Sequence, residues 1–134
     1  MPTIAGVSHV DFTVSDLAAS ERWYKDVFGF TDLLSGELPG RYKVAYLQDA
    51  SAGVVIGLVQ HANPEAAAFR PERLGLDHFS LAVADRDELR AWERRLNEKG
   101  IGNSGVTEQS VGAGLNFNDP DGLPLEFYVL GPAA

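Results

Sequence analysis

Two histidines and a glutamate raise the first chemical question in this 134-residue chain: His9, His78 and Glu126. The chain has three histidines and no cysteine, so thiolate metal sites, cysteine nucleophiles and disulfides are excluded. Two neutral imidazoles and one carboxylate suit Fe(II), Mn, Zn, Ni or Co, with positions left open for water or substrate. Metal ligands must be free of their protons, and imidazole and carboxylate side chains meet that condition near neutrality. A lone histidine on a strand is ordinarily a packing or surface residue. Here two of the three occupy equivalent places in an internal repeat.

The repeat has an offset of 69 residues. Val7-Ser8-His9-Val10-Asp11-Phe12-Thr13-Val14-Ser15-Asp16 aligns with Leu76-Asp77-His78-Phe79-Ser80-Leu81-Ala82-Val83-Ala84-Asp85. His9 then meets His78, Val14 meets Val83, Asp16 meets Asp85 and Trp23 meets Trp92. The same register carries Gly57, within Val55-Ile56-Gly57-Leu58-Val59, onto Glu126, within Pro124-Leu125-Glu126-Phe127-Tyr128. Each repeat thus offers a first-strand and a last-strand position, occupied by His and Gly in one copy and by His and Glu in the other. A carboxylate set between Leu125 and Phe127 costs several kcal/mol to bury unless it is paired or bound to a metal.

The elements that must position these groups follow from the pattern. Each aligned stretch reads as a strand ending at an aspartate that opens a helix. The first helix is expected over about Leu17–Val27, capped by Asp16 and stopped by Gly29. The second is expected over about Asp87–Glu98, ended by Gly100, with Leu89, Trp92 and Leu96 on one face. Both tryptophans read as helix-to-sheet packing. Three strands follow each helix: near Thr31–Ser35, Tyr42–Gln48 and Val54–His61, then near Gly102–Val106, Leu115–Asn118 and Leu125–Leu130. Asp119-Pro120-Asp121-Gly122 reads as a tight turn. The fold class is therefore α+β, two βαβββ modules with curved mixed sheets around a central cleft. The chain is expected to be one domain, residues 1–134, with module one at about 4–62, a linker at about 63–74 and module two at about 75–131.

Alternation along strands places His9, Asp11 and Thr13 on one face, and His78, Ser80 and Ala82 on another. Asp11, Thr13, Ser80 and Gly57 are the expected substrate-lining positions. Glu126 and Tyr128 share a face. His61 has the parity of Gly57 but lies roughly 13 Å further along the strand, too far to replace a ligand there. His61 is a candidate to line the pocket mouth or to act as a general base.

The formal charge of −8 argues against nucleic acid as the main partner. No stretch approaches the ~18 apolar residues of a membrane span, and Met1 to Val10 lacks the marks of a signal peptide. A cytoplasmic protein with a small-molecule partner is expected.

These residues resemble the vicinal oxygen chelate superfamily, the glyoxalase/bleomycin-resistance/dioxygenase fold. The resemblance is carried by Val7-Ser8-His9-Val10, by Val14-Ser15-Asp16-Leu17 and by Trp23-Tyr24 before Phe28-Gly29-Phe30. Gly75-Leu76-Asp77-His78 and Asp119-Pro120-Asp121-Gly122-Leu123-Pro124-Leu125-Glu126 complete it. It implies paired modules around a metal that chelates neighbouring substrate oxygens, and a homodimer whose chains often share each site. His9, His78 and Glu126 match three ligands of the glyoxalase I pattern of His, Glu, His, Glu, and Gly57 stands where the first Glu would be. That departure removes the carboxylate on which glyoxalase proton transfer relies. The three-ligand set is closer to extradiol dioxygenases, a resemblance that implies an acid–base His and Tyr in the pocket, here His61 and Tyr128, and to fosfomycin-modifying thiol transferases, but the stretch Thr107 to Gly114 has no Lys or Arg to meet a phosphonate. The expected function is that of a divalent-metal enzyme acting on a small oxygenated molecule, as a lyase or isomerase or by ring-cleaving oxygenation. The reading from another class is a non-catalytic drug- or metabolite-binding protein of the bleomycin-resistance type.

Overall fold

Asp16 closes the first strand, β1 (Val10–Thr13), and opens the first helix, α1 (Leu17–Phe28). Its backbone is extended, and its carboxylate accepts the Ala19 N–H at 3.0 Å, satisfying a donor the helix cannot. Gly29 ends the helix with φ 73°, where a side chain would strain the backbone, and its N–H donates to the Lys25 carbonyl. Ser20, Tyr24 and Val27 form the buried stripe of α1, which packs on β3 (Tyr42–Asp49) and β4 (Val54–His61). With β2 (Thr31–Leu38) these make a sheet of order β1-β4-β3-β2, in which β1 runs parallel to β4 and the other pairs are antiparallel.

The structure is a computed structural model that describes residues 1–65 and 67–133. The chain divides into two compact units, Met1–Ala66 and Ala67–Ala134. Ala66, within the expected linker, and Ala134, the last residue of the expected domain, lie outside the described residues. The second unit repeats the first. β5 (Phe79–Ala82) leads through Asp85, whose carboxylate accepts the Glu88 N–H at 2.9 Å, into α2 (Arg86–Glu98). Then come β6 (Thr107–Gln109), β7 (Gly112–Asn118) and β8 (Pro124–Leu130), in the order β5-β8-β7-β6 with β5 parallel to β8. The fold is α+β with two βαβββ modules and mixed sheets. Trp92 of α2 stacks on Phe127 of β8 at 4.3 Å, so this tryptophan does pack helix on sheet. The turn between β7 and β8 is built on buried Asp119, whose Oδ1 accepts the N–H groups of Asp121 and Leu123, with Gly122 at φ 84°.

Two elements of the second unit depart most from expectation, one of them β7, which starts at Gly112 rather than Leu115. The strand expected over Gly102–Val106 is absent, and β6 begins at Thr107; Asn103 makes only an isolated bridge to Phe117. The Asn103 side chain accepts from the Gly105 N–H and donates to the Ile101 carbonyl, and Gly105 takes φ 67°, so local turn bonding wins over the ladder. The short β6 is tied instead by Arg86, which donates to both carboxylate oxygens of Glu108 and to the Gly131 carbonyl. Those hydrogen bonds hold the Glu108 carboxyl below the usual carboxylate range.

The helix caps yield a stability test. Asp16→Ala and Asp85→Ala are each expected to lower unfolding free energy by about 1 kcal/mol, and the Asn variants by much less, because an amide oxygen can still accept the cap bond. Urea unfolding followed by circular dichroism measures it; no difference between Ala and Asn would remove the capping role.

Candidate metal centre

Strand alternation sorts each sheet into a face against its helix and an open face. In the second unit Leu125, Phe127 and Val129 are buried, which turns Glu126 and Tyr128 to the open face. Glu126 pairs across the sheet with Ser80 on β5 and Asn116 on β7. The Ser80 hydroxyl donates to Glu126 Oε1 at 2.8 Å, and His78 Nε2 lies 3.8 Å from that same oxygen. On its other side His78 Nδ1 is 2.6 Å from Asp77 Oδ1. A proton on Nδ1 shared with Asp77 leaves the Nε2 lone pair free beside Glu126, which is how outer carboxylates orient metal-binding imidazoles. The Glu126 side chain is 12% exposed and that of His78 46%, so the carboxylate is set into the sheet and the imidazole stands above it.

Two glycines make room for this group. A Cβ at Gly114 would lie 3.1 Å from Glu126 Oε2 and 3.2 Å from Gln109 Nε2, and one at Gly112 would lie 2.9 Å from the Tyr128 ring. Small residues on β7 thus allow the Glu126 and Tyr128 side chains to lie down across the sheet.

In the first unit the corresponding rung is Asp11, Gly57 and Tyr46. Asp11 Oδ2 accepts the Tyr46 hydroxyl at 3.3 Å, and His9 Nε2 is 3.9 Å from Asp11 Oδ1. The His9 ring meets the Tyr46 ring edge-on at 5.6 Å. Partial burial, and then the Asp11 charge, push the Tyr46 phenol above its ordinary range, so it keeps the proton it donates. A Cβ at Gly57 would run into Asp11 Oδ1 and lie 2.8 Å from Tyr46 Cε1; the carboxylate and the ring close over the bare backbone.

The structure therefore brings His78 together with Glu126 and Ser80, and His9 together with Asp11. Among the described residues no group of three His, Cys, Asp or Glu side chains is placed to hold a metal ion. Thr13 and His61 line a separate open recess with Arg41, Tyr42 and Glu65, and His61 sits edge-on to Tyr42 at 6.4 Å. The sequence reading missed Tyr46, Gly112 and Gly114. Tyr46 was findable, because alternation from Tyr42 puts it on the face that Gly57 occupies.

The sequence profile of the glyoxalase/bleomycin resistance protein/dioxygenase superfamily matches residues 6–127. The chain belongs to that superfamily. It is 33% identical over 124 residues to the uncharacterized protein YaeR of Escherichia coli, covering 91% of this chain and 94% of YaeR. It is 31% identical over 124 residues to a catechol-2,3-dioxygenase of Bacillus subtilis; 91% of this chain is covered, but the chain spans only 40% of that enzyme's length. It is 28% identical over 128 residues to the metallothiol transferase FosB of Bacillus licheniformis, covering 93% of this chain and 75% of FosB. Among solved structures, a glyoxylase/bleomycin resistance protein/dioxygenase domain from Frankia superposes with a TM-score of 0.88 at 31% identity, over 98% of this chain and 96% of that one. No helix among the described residues is long and apolar enough to cross a membrane.

Proposed function

We propose that the chain is a metal-dependent enzyme acting on a small oxygenated substrate whose neighbouring oxygens chelate a divalent ion held by His9, His78 and Glu126. The observation that carries the reading is the His78–Glu126 pair, with Asp77 at the other nitrogen of the imidazole and the Ser80 hydroxyl donating to the carboxylate. Two donors 3.8 Å apart, the imidazole steadied by Asp77 at its other nitrogen and the carboxylate by the Ser80 hydroxyl on the oxygen that faces His78, are what a preorganised half of a metal site requires. The carboxylate oxygen and the imidazole nitrogen suit Fe(II), Mn, Ni, Co or Zn. His9 is the third ligand on its equivalent place in the repeat. The ion, when bound, would polarise the substrate oxygens.

The chain's own residues supply the rest. Asp77 keeps the His78 tautomer, Ser80 keeps the Glu126 orientation, and Tyr128, on the same face as Glu126, is the acid–base candidate nearest the pair along β8. Thr13 and His61 border the recess beside the first sheet. The superfamily's range includes ring cleavage, and the likeness to a catechol-2,3-dioxygenase makes catechols the first substrates to try. The deciding measurement is elemental analysis of protein purified without a histidine tag and offered Fe(II), Mn(II), Co(II), Ni(II) and Zn(II). About one ion per chain is expected. A protein that takes up none of the five refutes the enzyme reading in favour of a metabolite-binding protein. Oxygen uptake with catechols then separates ring cleavage from isomerase or lyase chemistry.

A further inference from the structure

We infer that the open recess of the first unit binds the carboxylate of a small organic acid, with the Arg41 guanidinium as its main contact. The inference stands apart from the metal reading above, because every residue it uses in the first unit lies within Met1–Ala66 and none is a proposed metal ligand. The recess has a volume of about 610 Å³, in the range of small-molecule pockets, and Thr13, Arg41, Tyr42, His61 and Glu65 are among its walls. Arg41 follows a tight turn in which Pro39 precedes Gly40 at φ 75°. Its N–H donates to the Leu38 carbonyl at 3.0 Å, and its carbonyl accepts the Ala62 N–H at 2.9 Å. The backbone of Arg41 is therefore fixed on both sides. Its side chain is left unspent: among the described residues the guanidinium makes no ion pair and no hydrogen bond. Lys25 and Arg86, by contrast, are paired with Asp32 and Glu108. A guanidinium on a fixed backbone meets a planar carboxylate through two parallel N–H bonds.

The repeat shows that the fold does not need these polar groups. Strand register sets His61 opposite Tyr42 in the first sheet and Leu130 opposite Gly112 in the second. One step further, the Ala62 N–H donates to Arg41 as the Gly131 N–H donates to Val111. Thr13 and Ala82 end the two first strands. Where the first unit has Thr13, Arg41, Tyr42 and His61, the second therefore has Ala82, Val111, Gly112 and Leu130. Both copies build the same strand ends, and only the first dresses them with donors. The recess at that end of the second sheet, beside Ala82 and Leu130, is lined by no charged side chain. The donors of the first unit set the class of guest. Arg41 carries the fixed charge, and the hydroxyls of Thr13 and Tyr42 and an imidazole N–H of His61 can each donate. Glu65 in the same wall opposes a second negative charge, so a carboxylate monoanion suits the recess better than a phosphate dianion. Tyr42 is 38% exposed and meets the His61 ring edge-on, which leaves aromatic surface for the apolar body of the acid. In a chain of formal charge −8, a local cation of this kind is what draws an anion to one place.

The test is an NMR titration of the full chain with benzoate, followed on the amide signals, with EDTA present so that no divalent ion can take the carboxylate. Benzamide has the same shape without the charge, and inorganic phosphate is the competing anion. Benzoate is expected to shift the signals of Gly40, Arg41, Tyr42, His61 and Ala62, and benzamide to bind at least about tenfold more weakly. Arg41→Gln is expected to weaken benzoate binding at least about tenfold as well. Lys43→Gln is the charge-matched control. Lys43 does not line the recess, and alternation puts it with buried Ala45 and Leu47 on the other face of β3, so benzoate affinity should stay at the wild-type value. No shift at these positions overturns the inference, as does benzamide binding as tightly as benzoate or an Arg41→Gln protein of wild-type affinity. A loss in Lys43→Gln equal to that in Arg41→Gln also overturns it, since overall charge and not the recess would then hold the anion. Phosphate bound more tightly than benzoate overturns the carboxylate assignment. None of these outcomes touches metal uptake, so this inference and the metal reading fail separately.

Discussion

Replacing His78 with alanine is expected to reduce bound metal from about one ion per chain to background, with little change in stability. The two halves of that expectation come from the same geometry. His78 is half exposed, and its contacts are polar ones with Asp77 and Glu126, so truncation opens no apolar cavity. Surface substitutions of this kind stay within about 0.5 kcal/mol. Yet the imidazole Nε2 lies 3.8 Å from the Glu126 carboxylate, and removing a first ligand removes the chelate. Asp77→Asn should fall between, weakening affinity by 10–100-fold, because the ring keeps its place but loses the charge that favours the Nδ1-protonated form. Elemental analysis together with thermal melting of the metal-free proteins reads both effects. Unchanged loading in His78→Ala would strike out the ligand assignment, and a collapse of the melt would show that His78 serves the fold instead.

The parts of this arrangement that could be read from the residues are those with a one-dimensional signature. An offset of 69 aligns histidines, capping aspartates and tryptophans because each must recur at the same point of a repeated module. Asp16 and Asp85 announce helices because unpaired N–H groups need an acceptor there, and Gly29 and Gly122 announce chain reversals because their φ is positive. The shorter features were hidden for physical reasons. Gly112-Ala113-Gly114 carries none of the side chains that favour strands, yet β7 begins there, since its glycines are needed under Tyr128 and Glu126. The expected strand at Gly102–Val106 gave way to side-chain bonding by Asn103, a competition that hydrophobic pattern does not record. The carboxylate of Asp11 lying over Gly57 depends on cross-strand register, and register is invisible until two distant segments are paired.

Leu115→Ala carries the largest expected stability effect, a loss of about 2–5 kcal/mol. Leu115 is fully buried in β7, with Ala113 and Phe117 as its same-face neighbours along the strand and Phe127 opposite it on β8. Phe127 is itself held between Trp92 of α2 and Phe117. Truncation would leave a void whose walls are two stacked aromatic rings and a hydrogen-bonded ladder, neither of which can move in to fill it, so the cost should fall toward the upper part of the range. Leu130→Ala, at a position that is 78% exposed on the next strand, is the matched control and should change stability by no more than about 0.5 kcal/mol. Urea unfolding compares the two, with the slope unchanged if both variants unfold from the same native state. The consequence reaches the metal centre through β8. Leu125, Phe127 and Val129 point into this core and thereby aim Glu126 and Tyr128 at the open face, so the inward packing is what fixes the outward carboxylate. A Leu115→Ala protein as stable as wild type would mean that β7 is not packed against α2 and β8 as described, and the Glu126 position would lose its mechanical support.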